Sequence, residues 1–299
     1  MKLRPRLYLL AAGALTPMVV FAIVAALLLQ QREHRSVERE AIGRARAAMS
    51  AVDAHLRASI SSLETLAASR NLESGAIGAF HAESQRALRA QPDWVNIGLA
   101  TGAKIQLANA IYTYGKPEPF STGDDESFEA VVRTARAGVG NVSPGNAVRS
   151  PTVRVRVPVA YGGEVRYVIS APLNLKRLAD VLAAQHSPED SMIALVDKNK
   201  RVIARIPAAP AGAPAPDGFR EAIERSPEGW FEGLSPEGRS TYTSYVTSPL
   251  SGWQLGIVIP GSTVEAGARR TFAIMGAGIL SALVLGSLLS WLIARRIPD

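Results

Sequence analysis

Two long stretches without charge, one near each end, constrain this chain more than any other feature. Residues 7–29 and 271–294 contain no Asp, Glu, Lys or Arg. A helix needs about 20 apolar residues to cross the hydrocarbon core of a bilayer. The sequence therefore predicts two transmembrane helices, which flank a large and mostly polar segment, residues 30–270.

Basic residues beside the two stretches predict the orientation. Lys2, Arg4 and Arg6 precede the first stretch, and Arg295 and Arg296 follow the second. Because positively charged flanks stay in the cytoplasm, we expect both termini there and the central segment outside. A cleaved signal peptide is the alternative for the first stretch, but its apolar run exceeds the about 7–15 residues typical of such peptides.

Composition narrows the class of protein. The formal net charge of +7 comes largely from the cationic tips. The interior is nearly balanced and lacks the basic stripe of a nucleic-acid-binding protein, so we expect no nucleic-acid partner. The chain has no cysteine, so the extracytoplasmic domain must be held together by core burial without disulfides.

The segment that follows the first stretch predicts a long, stiff helix over residues 30–70. Its apolar or small residues recur at alternating spacings of three and four: Ile42, Ala45, Met49, Val52, Leu56, Ser59, Leu63 and Leu66. This heptad pattern is typical of a coiled-coil seam between two chains. It is equally typical of a helix that packs on the sheet of its own domain, and the sequence leaves both alternatives open.

The remaining segment predicts the same order of elements twice. Residues 93–100 and 104–111 read as a strand pair, 124–137 as a helix that begins at Asp124 or Asp125 and is closed by Gly138, and 152–160 and 164–172 as a hairpin. After a linking helix at 174–185, strands at 191–197 and 201–206, a helix at 217–226, and strands at 229–234, 239–247 and 252–259 repeat the order. The predicted fold class is α+β, with a long N-terminal helix and two tandem subdomains that contain antiparallel sheets.

Local motifs in both repeats resemble one known family. The second repeat contains GWF at 229–231, SPLSGW at 248–253 and IP at 259–260, and the first contains RVRVPV at 154–159 and YVIS at 167–170. These motifs are similar to those of double Cache domains, the PAS-like extracytoplasmic sensor domains of bacterial transmembrane histidine kinases. The resemblance implies seven segments: a cytoplasmic tip (1–6), a transmembrane helix (7–29), a juxtamembrane helix (30–70), a membrane-distal Cache subdomain (71–186), a membrane-proximal one (187–262), a second transmembrane helix (271–294) and the start of a cytoplasmic linker (295–299).

The resemblance also implies a function. The chain would be the ligand-sensing and signal-transmitting input region of a bacterial inner-membrane receptor, most often a two-component histidine kinase that works as a homodimer. A small molecule would bind the distal subdomain, and the resulting shift would pass through the second transmembrane helix. The alternatives are the input region of a chemoreceptor or a diguanylate cyclase, or a complete membrane-anchored module that binds a protein.

Catalytic signatures are missing from the sequence. The four histidines, His34, His55, His81 and His186, show no metal-ligand spacing, and the chain contains no P-loop and no GxSxG motif. We therefore expect no catalytic residue, no metal and no cofactor in this chain. Any kinase activity would belong to sequence after residue 299.

The strands of the first repeat supply the candidate ligand-binding residues. A pocket needs apolar walls and a few convergent polar groups, and the period of two places Arg154 and Arg156 together, opposite a face of valines. If these arginines face a pocket, bidentate hydrogen bonding favours an anionic ligand such as a carboxylate. The alternatives are a solvated face for the arginines and a core position for Trp94. The candidates are Trp94, Asn96, Asn109, Tyr112, Tyr114, Arg154, Arg156, Tyr167 and Ser170.

Overall fold

The structure is a computed structural model that describes residues 3–116, 122–144, 150–185, 191–235, 238–264, 273–274, 276–281 and 284–288. The predicted second transmembrane helix, 271–294, lies in part outside these residues, and the predicted linker, 295–299, lies wholly outside them. Within the described part of the chain, no helix combines the length and the apolar character that crossing a membrane requires.

The long helix predicted from the heptad pattern is present as α1, Leu3–Ala67. Its heptad residues Val52, Leu56 and Leu63 are completely buried within the single chain. Ser59, on the same stripe, accepts a hydrogen bond from the indole Nε1 of Trp94 at 3.3 Å. Of the two alternatives, the structure therefore shows the helix packed on its own domain, because the stripe that could have formed a dimer seam is already covered.

The first sheet is antiparallel and has the strand order β2-β1-β5-β4-β3. Its strands are β1 (Gly98–Thr101), β2 (Gln106–Asn109), β3 (Gly138–Val139), β4 (Arg154–Tyr161) and β5 (Glu164–Pro172). Helices α2 (Arg70–Glu73) and α3 (Ile77–Ala90) precede the sheet, α4 (Asp125–Thr134) connects β2 to β3, and α5 (Leu175–Ala183) follows β5.

The second sheet repeats this topology, with the order β7-β6-β10-β9-β8. Its strands are β6 (Met192–Val196), β7 (Val202–Ile206), β8 (Glu228–Leu234), β9 (Ser240–Thr247) and β10 (Gln254–Pro260), and α6 (Asp217–Arg225) connects β7 to β8. In each sheet the second strand is at one edge and the third is at the other. The duplication predicted from element order is therefore confirmed at the level of sheet topology.

Two strands of the first sheet are shorter than predicted, and side-chain hydrogen bonds account for this. The strand expected at 93–100 begins only at Gly98, because Oδ1 of Asn96 accepts the N–H of Ile97 at 2.7 Å and competes with ladder bonding. The strand expected at 104–111 ends at Asn109, whose Oδ1 accepts the N–H of Ile111 at 3.3 Å. Such local bonds form turns and end extended structure.

The prediction for α4 is correct at the start of the helix and wrong at its end. Of the two predicted N-caps, Asp124 takes this position, and its Oδ1 accepts the backbone N–H of Ser127 at 3.3 Å. The predicted closure by Gly138 is wrong, because the helix ends at Thr134 and Ala135 follows in a left-handed conformation with φ 49°. Gly138 instead begins β3, a two-residue strand that the sequence did not predict.

The chain divides into two compact units. The larger one comprises 41–233 and 243–258, and the smaller one comprises the chain up to Glu40, Leu234–Tyr242 and the chain from Ile259 onward. In the larger unit, Trp253 is fully buried and its Nε1 donates to the carbonyl of Gly140 at 3.2 Å. In the smaller unit, the rings of His34 and Tyr242 pack edge to face, with centroids 5.7 Å apart.

Two further contacts within the larger unit join elements that are distant in sequence. The carboxylate of Asp197, which directly follows β6, accepts the backbone N–H of Val142 at 2.8 Å. The hydroxyl of Ser248, which directly follows β9, donates to Asp53 of α1 at 2.6 Å. Both carboxylates are almost completely buried, so each contact fixes a loop where water cannot compete for the bond.

Candidate functional site

One row of cross-strand neighbours runs across all five strands of the first sheet. Its members, from β2 to β3, are Asn109, Gly98, Ser170, Arg156 and Gly138. Directly paired residues project to the same face of a sheet. Three predicted site residues therefore share one face, and the glycines in the row leave space beside the serine and the arginine.

Arg156 is the centre of this face, and its side chain is only 1% exposed. Nε donates to Oγ of Ser127 and Nη1 donates to Oγ of Ser170, each at 2.8 Å. Nη2 donates to the carbonyl of Thr122 at 2.7 Å and to that of Asp124 at 3.0 Å. The guanidinium thus fixes the N-terminus of α4 against the sheet.

Arg154, on the same face of β4, is also buried but has fewer partners. Nη1 donates to Oγ of Ser143 at 2.5 Å, and Nη2 donates to the carbonyl of Pro144 at 3.5 Å. Gly123 lies against this guanidinium so closely that a Cβ at that position would be 1.9 Å from Nη1. The position of Arg154 therefore depends on a residue without a side chain at 123.

No direct ion pair among the described residues neutralises the positive charge at this face. Among the described residues, neither Arg154 nor Arg156 is within salt-bridge distance of a carboxylate. Burial lowers the pKa of both guanidinium groups, and the neighbouring charge of Arg154 contributes to lowering the pKa of Arg156 to about 10. Both groups remain charged near neutral pH, so an anion brought to this face would offset part of the cost of burying them.

The carboxylate of Asp124 opposes these shifts in pKa from a distance, but its oxygens are engaged elsewhere. Oδ1 caps α4, and Oδ2 accepts the backbone N–H of Asn141 at 2.6 Å. Phe128, one turn into α4, lies under Arg156 with 5.5 Å between Cζ and the ring centroid. The face therefore combines two cations, an aromatic ring and three serine hydroxyls.

The alternative of a solvated arginine face is wrong. Arg154 and Arg156 are buried, and so are Val153, Val155 and Val157 on the opposite face of β4. Both faces of this strand are covered, as in a sheet between two layers. The alternation of arginine and valine was correctly assigned to two faces, but it did not reveal that α4 covers the polar one.

Trp94 and Tyr167 pack away from the arginines, and Asn96 is engaged with its own backbone neighbour. The indole Nε1 of Trp94 donates to Ser59 of α1, and the residue occupies a buried core position, which was the alternative given for it. Asn96 is buried and bonds its own neighbour in the chain. Tyr167 pairs with Val159 and lies an odd number of residues from Ser170, so it projects from the opposite face of β5.

The other predicted residues gather around a histidine that the sequence did not single out. Nε2 of His81, on α3, is 3.0 Å from the carbonyl oxygens of both Asn109 and Tyr112. The ring of Tyr114 lies 5.6 Å from the imidazole, and its side chain is about half exposed. His81 therefore holds the chain that follows β2, and Tyr112 and Tyr114 belong to that segment.

Sequence reasoning missed the residues that surround the arginines from α4: Thr122, Gly123, Ser127 and Phe128. One signal was available, because Asp124 was recognised as an N-cap and a helix start supplies free backbone groups to its neighbours. The described residues contain no group of three or more His, Asp or Glu side chains that could hold a metal ion.

The arrangement of two five-stranded sheets with identical order after a long helix can be compared with solved structures. The chain has the same fold as the extracellular domain of a candidate histidine kinase and the ligand-binding domains of chemoreceptors. The extracellular domain of rpHK1S-Z16, a candidate histidine kinase, superposes with a TM-score of 0.56 at 15% sequence identity, covering 80% of this chain and 98% of that one.

Two chemoreceptor domains superpose equally well. The ligand-binding domain of CtaA from Pseudomonas fluorescens, in complex with L-isoleucine, gives a TM-score of 0.60 at 14% identity and covers 80% of this chain and 97% of its own. That of PctB from Pseudomonas aeruginosa, in complex with L-Arg, gives 0.58 at 16% identity and covers 78% and 98%. No family model matches the sequence, and no curated protein does. The resemblance read from the sequence is confirmed at the level of the fold.

Proposed function

We propose that this chain is the extracytoplasmic ligand-sensing and signal-transmitting input region of a bacterial membrane receptor, with a two-component histidine kinase as the first candidate. The observation that carries the proposal is the pair of sheets with identical strand order after one long helix. This architecture is shared with the extracellular domain of a candidate histidine kinase over 80% of the chain.

The proposed topology follows the charge pattern of the sequence. Transmembrane helices at 7–29 and 271–294 place the tip 1–6 and the linker 295–299 in the cytoplasm and residues 30–262 in the periplasm, as the distribution of Lys and Arg supports. Residues 71–186 form the membrane-distal Cache subdomain and 187–262 the membrane-proximal one. The receptor is a homodimer, and any dimer contact along α1 uses positions outside the buried heptad stripe.

The proposed ligand is a small molecule with a carboxylate group, held at the face of Arg154 and Arg156. Arg154 supports this proposal because a guanidinium offers five N–H donors. Among the described residues, the side chain of Arg154 donates only to the hydroxyl of Ser143 and, at 3.5 Å, to the carbonyl of Pro144. A carboxylate would take two of the remaining donors in the bidentate geometry that arginine favours. Amino acids, such as those bound by the CtaA and PctB domains, share this group with organic acids.

The other predicted residues take supporting roles in this proposal. Ser170 and Asn109 belong to the row that contains Arg156, and they form the floor of the site. Tyr112 and Tyr114 form its rim. Trp94 and Tyr167 support the sheet from positions that face away from the ligand, and Asn96 fixes the chain just before β1.

Signal transmission is proposed to begin at the N-terminus of α4. A ligand changes an equilibrium only if it binds one arrangement better than another. Arg156 bonds the carbonyl of Asp124, and the carboxylate of Asp124 bonds Asn141. The adjacent Gly140 accepts the indole N–H of Trp253, which directly precedes β10 of the second sheet. A ligand that repositions the arginines would therefore bear on a connected set of hydrogen bonds that reaches the second sheet.

The test is a thermal-shift screen of the full chain in detergent micelles against amino acids and organic acids. A ligand that binds only the folded state raises the melting temperature by mass action. We expect Arg154→Ala to remove the shift, whereas Arg166→Ala, an exposed arginine on β5, should retain it. An equal shift in both variants would exclude Arg154 as the anchor, and no shift with any acid would favour a protein partner.

A chemoreceptor is the second candidate, because the CtaA and PctB ligand-binding domains share the fold with TM-scores of 0.60 and 0.58. The two candidates differ only in the output module. Chimeras that join this chain to a histidine-kinase module or to a chemoreceptor signalling module separate them, since only the natural type of output should respond to a ligand found in the screen.

A further inference from the structure

A separate cleft of about 200 Å³ lies beside α4 and β3. Its wall includes Ala130 and Glu126 of α4, and Asn141, two residues after β3. Lys198, from the turn between β6 and β7 of the second sheet, closes one side. Neither Arg154 nor Arg156 lines this cleft, although Ser127 and Gly138 border both the cleft and the arginine face described above.

The charges of the cleft leave a net excess of one positive unit. Lys198 and Arg136 contribute two cations, and Glu126 contributes the one carboxylate among its lining residues. All three residues are exposed at the surface. This balance suits a ligand with one negative charge, because a second carboxylate would meet Glu126 without a matching cation.

Asn141 adds an unsatisfied hydrogen-bonding group to the wall. Only 5% of this residue is exposed, and its buried Oδ1 has no hydrogen-bond partner among the described residues. Its backbone N–H donates to Oδ2 of Asp124, which fixes the main chain at this position. A buried acceptor without a donor destabilises the folded state. A ligand hydroxyl would supply that donor.

We propose that this cleft binds a small 2-hydroxy monocarboxylate. The carboxylate is held between Lys198 and Arg136, and the hydroxyl donates to Oδ1 of Asn141 after a small rotation of the amide. The volume accepts a ligand of about six to ten non-hydrogen atoms, since one water occupies about 30 Å³ in the liquid. This site is additional to the proposed arginine site and does not depend on it.

Occupancy of the cleft would strengthen contacts between the two sheets. Lys198 follows Asp197, whose carboxylate holds the N–H of Val142, and Asn141 directly precedes Val142. A ligand that contacts both Lys198 and Asn141 therefore adds a second link between these two segments, beside the hydrogen bond from Val142 to Asp197. It would favour the arrangement in which these segments are close, and so would act as a second input to the same receptor.

The test uses isothermal titration of the full chain in detergent micelles with L-lactate as the probe, and with propionate as the analogue that lacks the hydroxyl. We expect lactate to bind at least about tenfold more tightly than propionate, because a site with an unpaired polar group rejects an analogue that cannot bond it. Lys198→Ala and Ala130→Leu, which fills the cleft from a helix surface, should each weaken lactate binding by about tenfold or more.

Arg133→Ala, an exposed arginine of α4 outside the cleft, is the matched control and should bind lactate like the unchanged chain. Arg154→Ala should also retain lactate binding, which separates this proposal from the arginine site. The proposal is overturned if lactate does not bind, if lactate and propionate bind equally, or if Lys198→Ala binds lactate as tightly as Arg133→Ala. Melting temperatures of all variants confirm folding, and Lys198→Ala decides the test if Ala130→Leu is unstable.

Discussion

Replacing Gly123 with alanine tests the role of Arg154 without changing the arginine itself. The backbone at this position has φ +75°, and an added Cβ would lie 1.9 Å from Nη1 of Arg154. The substitution therefore has two costs. One is the strain of placing a side chain in a left-handed conformation, and the other is the displacement of a buried guanidinium.

The magnitude of each cost follows from the geometry. A left-handed conformation costs a residue other than glycine about 1–2 kcal/mol. Since non-bonded heavy atoms approach to about 3.5 Å, the guanidinium must move by about 1.5 Å. That shift breaks the hydrogen bond to Ser143, and a bond from a charged group contributes about 1.5–3 kcal/mol. We therefore expect a loss of about 3–4 kcal/mol in the free energy of unfolding.

Gly162 provides the matched control. It lies in the turn between β4 and β5 with φ +63°, and an added Cβ would have no atom within 4 Å. Gly162→Ala should cost only the backbone strain, about 1–2 kcal/mol. The difference between the two variants, about 2 kcal/mol, then measures the displacement of Arg154.

The assay is thermal unfolding of the full chain in detergent micelles, followed by circular dichroism. For a domain of this size, about 2 kcal/mol corresponds to a difference of roughly 4–8 °C in melting temperature. In an Arg154→Ala background the extra cost of Gly123→Ala should vanish, because the clash has been removed. Equal melting temperatures for Gly123→Ala and Gly162→Ala, or an undiminished extra cost in that background, would refute the reasoning.

Three further predictions concern the connections between the sheets and the long helix. Trp253→Phe removes the donor to the buried carbonyl of Gly140 and should cost about 1–2 kcal/mol in thermal unfolding, whereas no loss would mean that water replaces the indole. Burial raises the pKa of Asp197, so the folded state binds more protons than the unfolded state between the ordinary aspartate pKa and the raised pKa. The free energy of unfolding should therefore fall as pH rises through that range. Asp197→Asn should flatten this slope in a pH series of melting temperatures. If the receptor dimerises along α1, Ala54→Cys at an exposed position should cross-link under oxidising conditions and Val52→Cys at a buried one should not; cross-linking at Val52 alone would contradict the packing of α1 on its own domain.

Local patterns predicted most of the secondary structure, and their failures have local causes. The hairpin of β4 and β5 was recognised from strand alternation on both sides of a glycine pair, and the start of α4 from its aspartate cap. The strand beginning at 93 was predicted too long because Asn96 forms a bond with its own neighbour. β3 was missed because two residues carry no periodicity from which a strand can be read.

The candidate site could be predicted only in part. Alternation placed Arg154 and Arg156 on one face, and only the register shows that Ser170 is opposite Arg156. It could not indicate that Ser127 and Thr122 surround Arg156, because these contacts span about 30 residues of chain. Nor could it reveal the cleft beside Asn141, since Lys198 reaches it from the second sheet.

The sequence by itself determined the long helix, the duplicated α+β order and the pairing of arginines against valines, because periodicity and capping act between residues that are close along the chain. Only the tertiary structure decided that the heptad stripe of α1 faces its own domain, that the arginine face is buried under α4, and that Trp94 and Tyr167 face away from it. The physical reason is that burial depends on which distant segments pack on a face. A period of two or of 3.6 residues identifies which residues share a face, but it does not identify the segment that packs on that face.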